Sequence, residues 1–127
     1  MEVILDTNAL SAVADNEPLA IRKFSEAAGI ELPVIVLGEY RFGVAQSRDR
    51  DEYERWLQQL IAATCVLPVN EDTASHYAQI RAELKEAGPP ISSNDLWIAA
   101  LCRQHHLPLM SQDKHFDSVQ NLKRIGW

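Results

Sequence analysis

Four acids stand where this 127-residue chain changes from apolar to polar, and together their side chains could hold a cation. Asp6 ends the run Glu2-Val3-Ile4-Leu5, and Asp113 follows Leu107-Pro108-Leu109-Met110 by way of Ser111 and Gln112. Glu39 comes after the branched stretch 31–37, and Asp95 after the stop Gly88-Pro89-Pro90 and the capping residues Ser92, Ser93 and Asn94. Singly, each has an ordinary explanation. An Asp after a strand bonds its own backbone in a turn. Glu39 and Asp95 would suit the positive end of a helix, a stabilisation of ~0.3–1 kcal/mol, and Asp113 would cap a helix carrying Phe116. Taken together they point to chemistry. Carboxylates brought close repel, so either their pKa values rise or a cation settles between them. Hard oxygen donors, with no His or Cys counted among them, favour Mg²⁺ or Mn²⁺. Such an ion activates a bound water and stabilises charge on a phosphate under in-line attack, and two ions ~3.5–4 Å apart would clamp both reacting oxygens. That chemistry suits hydrolysis of a phosphodiester.

Elements alternating between strand and helix must position these acids. Short strands are expected at 2–5, 31–37, 65–69 and 107–110, with a last one around 123–125. Pro33 restricts the second to an edge or an early position. Helices are expected at 17–28, 38–46 and 51–63, then from Asn70 or Asp72 to about Ala87, and from the Ser92–Asn94 caps through Leu96-Trp97-Ile98-Ala99-Ala100-Leu101. The helices 38–46 and 51–63 read as a hairpin joined by a charged turn. This alternation implies right-handed crossovers and a mainly parallel sheet covered by helices, an α/β class, in a single domain over 1–127. Ligands of such sheets bind at the carboxyl ends of the strands, where Asp6 and Asp113 are expected.

Hydrophobic residues make up 46% of the chain, enough for a packed core. Every apolar run breaks well before the ~20 residues of a membrane helix, and no leader pattern opens the chain, so a cytoplasmic protein without a membrane association is expected. Cys65 and Cys102 lie in apolar stretches and read as small core residues, and no CxxC spacing supports a thiolate metal site. The net charge of −6 counts against a simple nucleic-acid binder. A polyanionic substrate would need a bound cation or a partner chain to offset repulsion. Neighbouring His105 and His106 would point about 100° apart on a helix and cannot easily share a metal. His76 also reads as a surface or helix-end residue, whereas His115, two residues after Asp113, could approach a phosphate. Arg41, Arg48, Arg50, Lys114, Lys123 and Arg124 are candidate phosphate contacts, Lys114 foremost by its position. Tyr53 and Trp56 read as anchors of an amphipathic face. No nucleophile-elbow or P-loop pattern is present.

The segments Asp6-Thr7-Asn8, Leu37-Gly38-Glu39, Asn94-Asp95-Leu96-Trp97-Ile98-Ala99-Ala100 and Ser111-Gln112-Asp113-Lys114-His115-Phe116 resemble, in order and spacing, the PIN-domain ribonucleases, and most of all the VapC-type toxins. The resemblance implies a three-layer α/β/α fold and a Mg²⁺-dependent endoribonuclease acting on RNA. It implies that Asp6, Glu39, Asp95 and Asp113 are the catalytic, metal-holding acids, with Thr7 and Ser111 as supporting hydroxyls. It implies a homodimer, and inhibition by a small cognate antitoxin that would bind at the helical hairpin and its surroundings. Asp117 is a further acid near the site, although Asp113 is the better match. Two other readings stay open: a PIN-like nuclease processing RNA or DNA without an antitoxin, and a nonenzymatic α/β module whose acids bind a cation or a basic peptide.

Overall fold

Val3, Ile4 and Leu5 are all buried, which an apolar run achieves only in the middle of a sheet covered on both faces. The computed structural model describes residues 1–127, the side chain of Ala87 excepted. It places β1 (Glu2–Leu5) at the centre of a five-stranded sheet with β2 (Gly29–Pro33), β3 (Cys65–Leu67), β4 (Leu109–Met110) and β5 (Arg124–Ile125), in the order β3-β2-β1-β4-β5. Every pairing is parallel, as the strand–helix alternation required. Six helices fill the crossovers: α1 (Thr7–Ala14), α2 (Pro18–Glu26), α3 (Val34–Ala45), α4 (Arg50–Ala63), α5 (Glu71–Ala87) and α6 (Ser93–His105). A 3₁₀ turn, Lys114–Ser118, follows β4. The architecture is the expected α/β/α. Leu10, Leu32, Leu57, Ile80, Ile98, Leu101 and Phe116 are sealed in its core. Among the described residues no helix is long and apolar enough to cross a membrane.

Strand order fixes where a ligand can enter. The chain moves from β1 to one side through β2 and β3, and then returns to the other side through β4 and β5. The crevice at this reversal lies beyond the ends of β1 and β4. Their register pairs Leu5 with Met110, so the next residues, Asp6 and Ser111, emerge side by side.

Two elements differ from expectation. The stretch 31–37 does not run on as a strand: β2 stops at Pro33, and α3 starts at Val34. Branched residues suggested a strand, but Val36, Leu37, Tyr40 and Val44 recur at helical spacing and all are buried, so tertiary packing prevails over propensity. Helix α1 begins directly after Asp6, where only a polar turn was expected. Its buried stripe, Ala9, Leu10 and Val13, is too short to stand out in the sequence. Cys102 is buried as expected, whereas Cys65 is exposed, its thiol bonded to Glu31 on the neighbouring strand. His105 and His106 close α6 at the surface, His106 with a left-handed φ of 54°.

The start of α5 is tied to the end of α6. Asn70 accepts from the Thr73 amide, the Thr73 hydroxyl bonds back to the Asn70 amide, and Gln104 donates to the Asn70 side chain. Asn70→Ala is expected to cost ~1 kcal/mol, read as a lower urea midpoint at unchanged slope. Asn70→Asp, which keeps the acceptor, should stay near wild type.

Candidate functional site

Asp6 is the most enclosed of the acids, only 4% exposed. Its Oδ1 caps α1 by accepting from the Ala9 amide at 2.8 Å, and it is also bonded by the Ser111 hydroxyl. Burial holds the Asp6 carboxyl above its ordinary range. The Ser111 and Ala9 hydrogen bonds oppose this, and the charges of Asp95 and Asp113 add to it. Ser111 is itself fully buried, and its oxygen also accepts from the Asp113 amide at 3.0 Å. One hydroxyl thus fixes two of the four acids.

Glu39 lies in the second turn of α3, not at the opening of a helix, because α3 starts earlier than expected. A helix dipole acts over the first turn and does not account for an acid at this position. Glu39 is held by side chains instead: the Thr7 hydroxyl donates to Oε1 at 2.7 Å, and the Asn94 amide donates to Oε2 at 3.1 Å. Asp95 follows on α6, whose N-cap Ser92 accepts from the Asp95 amide at 3.3 Å. Burial raises the Asp95 carboxyl above its usual range. His115 and Ser92 pull it down, and Glu39 pushes it further up. The structure therefore gathers Asp6, Glu39, Asp95 and Asp113 on one rim, with Thr7 and Ser111 as braces.

One participant was underestimated. The His115 ring sits between two of the acids, with Nε2 3.0 Å from Asp95 Oδ2 and Nδ1 3.0 Å from Asp113 Oδ1. The sequence signal lay in the Asp113-x-His115 spacing: Asp113 caps the 3₁₀ turn through the His115 amide, which turns that ring back toward the acids. The set is therefore not built from oxygen donors alone. Asp117, by contrast, is drawn out of it. Arg124 binds Asp117 through two nitrogens at 2.9 and 3.0 Å, and also donates to the Ser111 carbonyl. That pairing holds the Asp117 carboxyl below its usual range.

The basic residues lie elsewhere. Arg41 pairs with Glu54, Arg50 approaches Asp51, and Arg48, Lys114 and Lys123 are exposed. Among the described residues, no Lys or Arg pairs with Asp6, Glu39, Asp95 or Asp113. A cleft of about 240 Å³ runs from Thr7 and Glu39 along α1 and α3 to Asp15 and Tyr53. The Tyr53 hydroxyl donates to Asp15 at 2.7 Å, and Trp56 packs against Tyr40, so both aromatics act as anchors.

The donor set fits a divalent cation. Part-buried carboxylates that, among the described residues, pair with no Lys or Arg gather at the carboxyl edge of the sheet, where burial and mutual repulsion raise Asp6 and Asp95. Asp95, Asp113 and His115 each offer a donor atom, all within 4.8 Å of one another.

Comparison with known proteins agrees with this geometry. A family model described as the PIN domain matches residues 3–122. Ribonuclease VapC5 of Mycobacterium tuberculosis is 32% identical over 124 residues, covering 96% of this chain and 90% of that protein. VapBC-1 of nontypeable Haemophilus influenzae superposes with a TM-score of 0.86 at 27% identity, over 100% of this chain and 98% of that one. VapBC-5 of Mycobacterium tuberculosis, a member of the VapBC family of toxin–antitoxin systems, gives 0.74 at 29% identity, over 99% and 98%. With a part-buried acid cluster at the switch point of an all-parallel sheet, and a family match over nearly its whole length, the chain belongs to the PIN-domain ribonucleases, among the VapC-type members.

Proposed function

We propose that this chain is a Mg²⁺-dependent endoribonuclease, the toxin of a toxin–antitoxin pair, which hydrolyses phosphodiester bonds in RNA by attack of an activated water. The observation that carries the reading is the cluster of part-buried acids that, among the described residues, forms no ion pair with Lys or Arg. Asp6, Glu39, Asp95 and Asp113 would hold Mg²⁺, for which Mn²⁺ can substitute. When bound, the ion supplies charge neutralisation at the phosphate and activates a water for in-line attack. The chain's own residues do the positioning. Thr7 and Asn94 fix the two oxygens of Glu39, and Ser111 fixes Asp6 and the Asp113 backbone. No covalent nucleophile is needed.

The whole chain, 1–127, acts as one domain in this reading, as a homodimer in the cytoplasm. The net charge of −6 supports a need for the cation, and for a second subunit, before a polyanion settles at the rim. The cognate antitoxin binds around the hairpin of α3 and α4, where Phe42 is 72% exposed on α3 and Leu19 of α2 is also exposed.

Purified protein should cleave RNA with Mg²⁺, stop when a chelator is added, and resume when Mg²⁺ is restored. Asp95→Asn should remain inactive throughout. Cleavage that persists in excess chelator, or in the variant at the wild-type rate, would overturn the assignment. Metal binding with RNA left intact would favour a nonenzymatic cation module.

A further inference from the structure

We propose that His115 is a nitrogen ligand of the cation held by the acids, with Nε2 turned to the ion beside Asp95 and Nδ1 close to Asp113. The inference rests on the cation-site reading above and adds a donor of a different kind to it.

Three features of the ring's setting carry it. First, Nε2 and Asp95 Oδ2 are 3.0 Å apart. Two donors on one octahedral ion with bonds of ~2.1 Å are separated by ~3.0 Å, so the pair can chelate one ion without rearrangement. Second, Nδ1 is 3.0 Å from Asp113 Oδ1. A carboxylate beside the second nitrogen is a usual neighbour of a metal-bound imidazole and steadies the ring. Third, the ring is not free to leave. Asp113 Oδ1 also accepts from the His115 amide at 3.2 Å, and the sealed Phe116 ring packs against the imidazole edge at 4.8 Å and 62°.

The choice of nitrogen follows from the surroundings. Nε2 is the ring nitrogen in hydrogen-bonding geometry with an acid of the cluster, Asp95, which itself feels the charge of Glu39. Asp113 is the more exposed partner and holds the opposite edge of the ring.

A nitrogen donor changes which ion is preferred. Mg²⁺ is bound by oxygen and parts reluctantly from water, whereas imidazole favours first-row transition ions. The full chain should therefore bind Mn²⁺ at least ~10-fold more tightly than Mg²⁺ in competition. His115→Gln should weaken Mn²⁺ by ~10–100-fold, comparable to the loss of an outer-shell partner or more, while leaving Mg²⁺ within about threefold.

Pulsed electron paramagnetic resonance of the Mn²⁺-loaded full chain tests the ligand itself. Wild type should show nitrogen hyperfine modulation from a directly bound imidazole, and His115→Gln, with an unchanged circular dichroism spectrum, should not. Mn²⁺ bound to wild type without such modulation overturns this inference and leaves the cation site standing. Modulation that persists in His115→Gln overturns the assignment to His115. No Mn²⁺ binding at millimolar metal overturns both readings.

Discussion

Asp6→Asn should abolish Mg²⁺-dependent RNA cleavage and, in the absence of metal, raise the melting temperature of the protein. The two halves of this result have one origin. Asp6 is 4% exposed, and burial lifts its carboxyl above the ordinary range. A group whose pKa is higher in the folded than in the unfolded chain favours folding below its unfolded pKa, and that contribution is lost as pH rises through its folded pKa. At neutral pH the ionised carboxylate therefore works against the fold. Asn keeps the acceptor for the Ala9 amide and remains a good N-cap for α1. It can also still meet the Ser111 hydroxyl, so the substitution removes the buried charge and little else.

Activity needs that charge. Without it the site loses a preorganised electrostatic partner, a loss on the order of 10²–10³-fold in rate. Added Mg²⁺ should raise the melting temperature of wild type by mass action but leave Asp6→Asn unmoved. The stability gain should shrink as pH falls toward the carboxylate range near ~4, where wild-type Asp6 is protonated too. Wild-type cleavage should decline on the same acid side, because Asp6 and Asp95, both raised, must be ionised to hold the ion. A variant that cleaves normally, or that melts well below wild type without metal, would contradict the reading of a charge kept for function at a cost in stability.

How far such a site can be read from sequence depends on whether each residue is placed by local or by distant contacts. Asp6 and Asp113 were legible because an apolar strand that stops abruptly on a polar residue marks the end of a buried strand, and parallel strands end on the same edge. Asp95 was legible from its capping residues and from the Pro-Pro stop before it. Glu39 was identified but placed in the wrong setting. Val34–Leu37 has strand propensity, and only its burial against other elements makes it the first turn of α3. The competition between Asp113 and Asp117 had no local solution. It is decided by Arg124, which arrives from β5 to bind Asp117 and the Ser111 carbonyl. His115 was visible as a residue, but its role as a bridge needs α6 and the 3₁₀ turn to meet. Long-range pairing was what the sequence pattern lacked. The family likeness supplied the step from a cation to RNA, which composition and spacing could not.

Phe116→Ala should be the most destabilising single change near the site, at ~3–5 kcal/mol for truncating a sealed aromatic. That is a large part of the ~5–15 kcal/mol that holds a typical domain together. Phe116 is fully buried, while its neighbours in the 3₁₀ turn, Lys114, His115, Asp117 and Ser118, are at least partly exposed. One side chain therefore pins the turn that carries Asp113 and His115 to the core. Such an anchor should affect function beyond its effect on folding. A volume-conserving change, Phe116→Met, should cost less than about 1.5 kcal/mol, since the core keeps most of its contacts. Met, however, is flexible and lacks the rigid ring edge that packs against the His115 imidazole. The metal-induced rise in melting temperature should thus be smaller in Phe116→Met than in wild type, although both are folded. Urea unfolding with and without Mn²⁺ separates the two effects. Equal metal-induced shifts in the two proteins would mean that the turn holds its ligands without Phe116, and that its backbone hydrogen bonds to Asp113 and Ser111 suffice.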